Sequence, residues 1–340
     1  MTRNGSKPRL VGLAEVAQRA GVSPATASKA LNAKSDVNET TRATVEAAAR
    51  ELGYLPNSLA RGLMGAKTGT VGVIASDLEA RFALPILMGV EDELGTDKVL
   101  TFLCDARGDE TREHRLINAL LARRVDGIIV VGRQTDSRPS LGDQAVPVVY
   151  AYAFSDSPAD LSLTVDNHQI GRIAAQHLLG LGRKRLAHIS GVRDQGAALD
   201  RLAGVLEVLE ESGLALVAEP LFGDWSESWG RAAAAILLDS AERVDGIICA
   251  SDRIARGALD TLNDRRVAVP TDVAVVGVDN WSAIAENSRP ALTTVDMDLE
   301  KLGRVAARRL LALAAGKKLA GVERLPGSLV IRDSTIPRIL

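Results

Sequence analysis

Cysteine is nearly missing from this chain of 340 residues: Cys104 and Cys249 stand alone, each inside a strand-like apolar run. Two isolated thiols in such runs read as buried cysteines in a reducing compartment, not as a disulfide or a metal pair. Histidine is almost as scarce, and His114, His168, His177 and His188 have no metal-ligand spacing, so no metal is expected. No apolar run approaches the roughly twenty residues of a membrane span. The opening MTRNGSKPRL lacks the apolar centre of a signal peptide. The expectation is a cytoplasmic protein with no membrane partner. Catalytic signatures are missing too. There is no Gly-x-Ser-x-Gly elbow and no Gly-x-Gly-x-x-Gly turn, and Gly65-Ala66-Lys67-Thr68 lacks the adjacent Gly-Lys of a phosphate loop. A sugar-converting enzyme would need a paired acid and base, which the sequence does not offer. Neither an enzyme nor a bound cofactor is expected.

What the chain does have is a sharp division of charge. Residues 1–68 carry ten Lys or Arg against five Asp or Glu, and the rest carries 31 against 38, so a net charge of −2 conceals a basic head on an acidic body. A basic head fits a polyanion, and the acidic body should stay off phosphates.

The head has the spacing of a helix-turn-helix. In LAEVAQRAGVSPATASKALN, Leu13, Val16, Ala17 and Ala20 form an apolar stripe at helical spacing, Gly21 supplies the tight turn and Val22 plugs the corner. Ser23 followed by Pro24 starts a second helix. Its outward residues Ala25, Thr26, Ser28, Lys29 and Asn32 are small or polar, as a helix entering a major groove requires. Val45, Ala48, Ala49 and Leu52 mark a third helix from an Asn38 cap to Gly53. By spacing alone, a three-helix module with another duty remains an alternative.

The body, about 270 residues long, is too large for one ordinary core and predicts two subdomains. RRVDGIIVV at 123–131 recurs as ERVDGIICA at 242–250. Each copy is preceded by another strand pattern, TVGVIAS at 70–76 and RLAHISG at 185–191, and VAVVGVD follows at 273–279. Continuous apolar strands alternating with longer helices signify two doubly wound parallel sheets. Ligands of such sheets bind beyond the carboxyl ends of the strands. Ser76, Asp77, Tyr152, Ser251, Asp252 and Asp279 occupy those ends.

The segment ELGYLPNSLARGL at 51–63, following the helix-turn-helix, resembles the lactose-repressor/galactose-repressor family of bacterial transcription regulators, and the resemblance extends to the C-terminus. It implies a helix-turn-helix head at 1–56, a hinge helix and linker at 57–68, and a periplasmic-binding-protein-like core at 69–340. The core would consist of subdomain one at 69–165 and 296–325, and subdomain two at 166–295 and 326–340. In the head, Ser23 would join the outward residues at the major groove. Asn57, Ala60, Arg61 and Leu63 would lie in the minor groove, with Leu63 as the wedge that kinks the duplex. In the core the resemblance implies an effector pocket of Ser76, Phe82, Tyr152, Arg201, Trp225, Asp252 and Asp279. An Arg and an Asp there would share a vicinal diol, and a Trp face would cover a sugar or base. The plain alternatives are a helix-capping Asp252 and a packing role for Trp225.

Departures from the family pattern lie near the pocket. Ala80, Arg81, Phe82 and Ala83 stand where Asn-Pro-Phe-Phe is common, and Tyr152 stands where many relatives are acidic. In the reading helix, Ala27 and Lys29 replace the usual Val and Arg, and Lys is a softer base reader than Arg. The expectation is a homodimeric, effector-controlled repressor of carbohydrate genes, binding a palindromic operator. A purine base or nucleoside is the alternative effector, and a solute-binding protein the alternative class.

Overall fold

The computed structural model describes residues 11–31, 36–54, 67–78, 81–96, 99–240 and 243–336. The chain divides into two compact units, Met1–Thr68 and Gly69–Leu340. The first contains helices α1 (Leu13–Ala20), α2 (Pro24–Leu31) and α3 (Glu39–Leu52). Gly21 turns the chain at φ 69°, and Ser23 caps α2 by accepting the Thr26 N–H at 3.1 Å. Asn38 caps α3 through the Thr41 N–H, and Gly53 ends it in a left-handed conformation. Val16, Ala17, Ala27, Ala30, Val45, Ala48 and Ala49 form the core, with Val22 packed at its margin. Ala27 is therefore a core residue of α2. Ser23, Ala25, Thr26, Ser28 and Lys29 are exposed or half-buried. Asn32, Asn57, Ala60, Arg61 and Leu63 lie outside the described residues.

The second unit holds two sheets. The first has strand order β12-β7-β5-β3-β1-β2, from β1 (Thr70–Ala75), β2 (Leu100–Asp105), β3 (Ile128–Val131), β5 (Val148–Ala151), β7 (Leu161–Val165) and β12 (Gly321–Leu325), all parallel. The second has order β13-β11-β10-β9-β8, from β8 (Leu186–Ile189), β9 (Gly246–Cys249), β10 (Ala274–Val278), β11 (Thr293–Asp296) and β13 (Ser328–Val330). Here β13 runs antiparallel to β11, a departure from the all-parallel expectation. The short β4 (Ser137–Arg138) and β6 (Phe154–Ser155) pair beside the first sheet's strand ends. Three crossings join the sheets: after β7, between β11 and β12, and between β12 and β13.

Helices α4 (Ala83–Thr96) and α10 (Leu299–Ala314) pack together on the first sheet, and α5 (Glu110–Ala122) covers its other face. On the second sheet α6 (Asn167–Gly180) pairs with α7 (Gly196–Glu211), and α8 (Glu227–Asp239) with α9 (Asp252–Asp264). Each helix pair meets through two reciprocal glycines: Gly89 and Gly303, Gly171 and Gly204, Gly230 and Gly257. A β-carbon at any of the six would lie 1.9–2.1 Å from a carbonyl oxygen of the facing helix, so backbone packs directly on backbone.

Cys249 is buried and burial pushes its thiol up, whereas Cys104 is only half-buried because β2 is an edge strand. That edge is apolar: Leu100 is 69% exposed, and Phe102 and Leu103 are exposed too, as are Leu84 and Met88 one turn apart on the adjacent α4. Among the described residues no helix is long and apolar enough to cross a membrane, and no cluster of side chains is arranged to hold a metal ion.

Candidate functional site

The carboxyl ends of both sheets converge on one cleft of about 600 Å³. From the first sheet come Arg81 and Phe82 after β1, Arg133 to Asp136 after β3, and Tyr152 after β5. From the second come Gln195, Ala197 and Arg201 at α7, Trp225 from the loop before the helix Glu227–Asp239, Ser251 and Arg253 after β9, and Asp279 and Trp281 after β10. The backbone is held in left-handed conformations where strands deliver these side chains, with φ 74° at Tyr152, 118° at Asp279 and 51° at Asn280. Such conformations cost free energy and persist where surrounding structure enforces them, commonly at ligand sites.

At the floor of the cleft, Arg201 is almost fully buried. Its Nε donates to Asn167 Oδ1 at 2.9 Å, its Nη1 to the Ala250 carbonyl, and its Nη2 to Met297 Sδ at 3.3 Å. Asn167 donates in turn to Thr135 Oγ1 at 3.0 Å, so one polar chain runs from the first sheet's loop to α7. Asp279, equally buried, lies 4.0 Å from Arg201 through Oδ1, which accepts no hydrogen bond, while Oδ2 is paired with Arg81. A Trp225 N–H donates to Gln195 Oε1 at 2.6 Å, and its ring lies 5.9 Å from the Arg201 guanidinium. Gly191 is essential to that placement, since a β-carbon there would come within 2.2 Å of the indole. Asp136 Oδ1 accepts the N–H of Gly196 at 2.6 Å, tying the first sheet's loop to the start of α7.

Of the seven expected pocket residues, Phe82, Tyr152, Arg201, Trp225 and Asp279 come together in the cleft. Asp252 does not. It is wholly buried beneath, accepting Thr294 Oγ1 at 2.6 Å and the Trp281 N–H at 2.8 Å, and thereby holds Trp281 in the wall. Ser251, not Asp252, caps α9. Burial, reinforced by Asp279, pushes the Asp252 carboxyl well above the usual carboxylate range. Ser76 is not in the cleft lining either: its N–H donates to the Val131 carbonyl and its own carbonyl accepts from the Gly108 N–H, and it lines a neighbouring depression that shares Arg133, Gln134 and Asp136 with the cleft. Arg81, Asn167, Asp136, Gln195 and Trp281 were not among the expected pocket residues. Asn167, the first helical residue after a strand, carried a positional signal; Arg81 carried only its mismatch to the family pattern.

His188, next to this network on β8, is buried with neither ring nitrogen hydrogen-bonded. Burial, with the nearby Arg201 charge, lowers its pKa from 6.5 to about 4. The unfolded chain therefore takes up this proton first, so His188 removes stability as pH falls from 6.5 towards 4, on the order of 3 kcal/mol at the lower end. His188→Leu is expected to narrow the melting-temperature difference between neutral and acid pH. An unchanged difference in the variant would assign the acid sensitivity elsewhere.

Residues 12–57 match the bacterial regulatory proteins, lacI family, and residues 175–335 match the periplasmic binding protein-like domain. The HTH-type transcriptional regulator CelR of Thermobifida fusca is 35% identical, over 94% of this chain and 96% of its own length. The lactose operon repressor of Escherichia coli is 32% identical over 96% and 91%. The chain belongs to the lacI family. As a family member it is a DNA-binding transcriptional regulator. The crystal structure of the lac repressor dimer bound to operator and the anti-inducer ONPF is similar to it, with a TM-score of 0.79 at 29% identity, over 96% of this chain and 99% of that one. A CelR–cellobiose complex is similar with a TM-score of 0.66 at 31% identity, over 95% and 99%.

Proposed function

We propose that this regulator is a homodimeric repressor whose hold on a palindromic operator is set by a neutral sugar in the cleft between the core subdomains. The observation that carries the effector assignment is the buried pair of Arg201 and Asp279 at 4.0 Å, in a cleft walled by Trp225, Trp281, Phe82 and Tyr152. The unpartnered Asp279 oxygen accepts from a sugar hydroxyl, and the rings cover the apolar face of a pyranose. Pairing of the charges supports neutrality. Arg81 and Arg201 share Asp279, Arg133 lies 3.6 Å from Asp77, and Arg253 lies 3.7 Å from Glu227, so each of the four arginines lining the cleft has an acidic neighbour. The cellobiose bound to the similar CelR supports the same class.

The test is a thermal-shift panel of sugars, nucleosides and sugar phosphates, followed by operator binding with and without each hit. Ligands that bind only the native state raise its stability. A shift with nucleosides alone replaces the sugar assignment with the purine one.

In the head, Lys29 reads DNA from α2. Its Nζ is paired with Asp36 at 2.5 Å on the exposed surface, and such pairs contribute little, so the lysine is easily released to a phosphate or base. Lys29→Ala is expected to weaken operator binding more than random-DNA binding when both are measured by fluorescence anisotropy. An equal loss on both would make Lys29 a phosphate contact.

A further inference from the structure

A second cavity of about 440 Å³ lies against the cleft, and four residues line both: Arg81, Phe82, Asp279 and Trp281. Those four form the partition between the two chambers. The Arg81 guanidinium is sandwiched within it, 4.3 Å from the centre of the Phe82 ring and 5.0 Å from that of Trp281, while its Nη2 is paired with the buried Asp279. Phe82 comes from the first sheet, and Trp281 and Asp279 from the second, so the arginine spans the gap between subdomains. Stacking on two rings together with an ion pair to a buried carboxylate makes a strong plug.

The chemistry beyond the plug differs from that of the cleft. Asp296, Asp298 and Glu300 line the second chamber with Asn280 and Ser282, and Arg81 is the one arginine among its described lining residues. Asp296 accepts from Asn280 Nδ2 and the Asp298 N–H, while Asp298 lies 3.7 Å from Lys301 and Glu300 3.5 Å from Arg304, so the lining is polar with its charges largely compensated. Such a lining offers acceptors to hydroxyl donors and no free cation to an anion. Trp281, 38% exposed, presents its indole to both chambers, a continuous stacking surface interrupted only by Arg81.

We propose that Arg81 is the residue that sets effector length. With it in place, the regulator accepts a short saccharide confined to the cleft; without it, the two chambers join into a groove for a longer neutral chain. The proposal rests on the sugar assignment above. It concerns a separate property, the dependence of affinity on the number of sugar units.

The experiment measures calorimetric binding of cello- and malto-oligosaccharides of one to four units to the full-length wild type and to Arg81→Ala. The quantity read is the ratio of trisaccharide to disaccharide affinity. In the wild type, affinity is expected to fall about tenfold or more from two units to three, and in Arg81→Ala that fall disappears. Arg81→Gln, which shortens the side chain and removes its charge with a smaller void, gives the same change if the alanine variant folds poorly. If both variants keep the wild-type length profile, the gate is wrong and the sugar assignment stands. If no protein binds any member of either series, both fall together.

Discussion

Asp279→Asn is expected to weaken the effector response of operator binding severely while leaving effector-free operator affinity nearly intact. The substitution keeps the shape of the side chain, and asparagine tolerates the positive φ of 118° at this position better than most residues. What it removes is the charged acceptor. Hydrogen bonds to charged groups contribute about 1.5–3 kcal/mol, so the effector concentration for half-response should rise roughly ten- to hundredfold. Arg201→Ala should silence the response as well, but for a mixed reason. It deletes the donor to Asn167, Ala250 and Met297 and so lowers stability, which Asp279→Asn should not do to the same degree. Anisotropy titrations of labelled operator against effector separate the two. A normal response from Asp279→Asn at the usual effector concentration would move the effector to another site.

Phe102→Asp should convert the proposed dimer into monomers and with it cost most of the operator affinity. One reading helix covers too few base pairs for useful specificity, so two heads must act together. The apolar edge of the first sheet is suited to a second copy of the chain: Leu100, Phe102 and Leu103 are exposed on β2, beside Leu84 and Met88 on α4. Unpaired edges carrying exposed hydrophobic side chains are otherwise an aggregation liability. A buried carboxylate at their centre would oppose pairing. Sedimentation should report a monomer, and operator affinity should fall by about a hundredfold or more, because the linked second half-site is lost. A variant that still sediments as a dimer would put the interface elsewhere.

The head was legible because every signal in it is local. The Gly21 turn, the Ser23 and Asn38 caps and the small core residues of α1, α2 and α3 are each fixed by neighbours within a few positions. The two sheets were legible for a related reason, since strands buried on both faces leave continuous apolar runs such as IIVV and GIIC. The antiparallel β13 was not, because three residues at a sheet edge carry no pattern. By position alone the cleft was legible only where strand ends deliver side chains directly, as at Tyr152 and Asp279; Phe82, Arg201 and Trp225 were expected from the family resemblance. Asp252 follows a strand in the same way, yet its carboxylate turns inwards to Thr294 and the Trp281 N–H, partners 42 and 29 residues away. Arg81 meets Asp279 across 198 residues and two subdomains. No local rule predicts such a meeting. Only its place in a stretch that departs from the family pattern hinted that something else was built there.

The six glycines that press helix backbones together have a consequence for how this sensor can change. Helices in such close register resist sliding past one another, so relative motion of the subdomains would concentrate at the three crossings. With the proposed effector in the cleft, the output would then depend on the angle it imposes and not on its chemistry. Any molecule that stabilised the same angle would send the same message to DNA. Exchanging a few cleft side chains can therefore re-address the regulator to a new nutrient while its means of reporting stays untouched, which is how one scaffold can serve many different metabolic inputs.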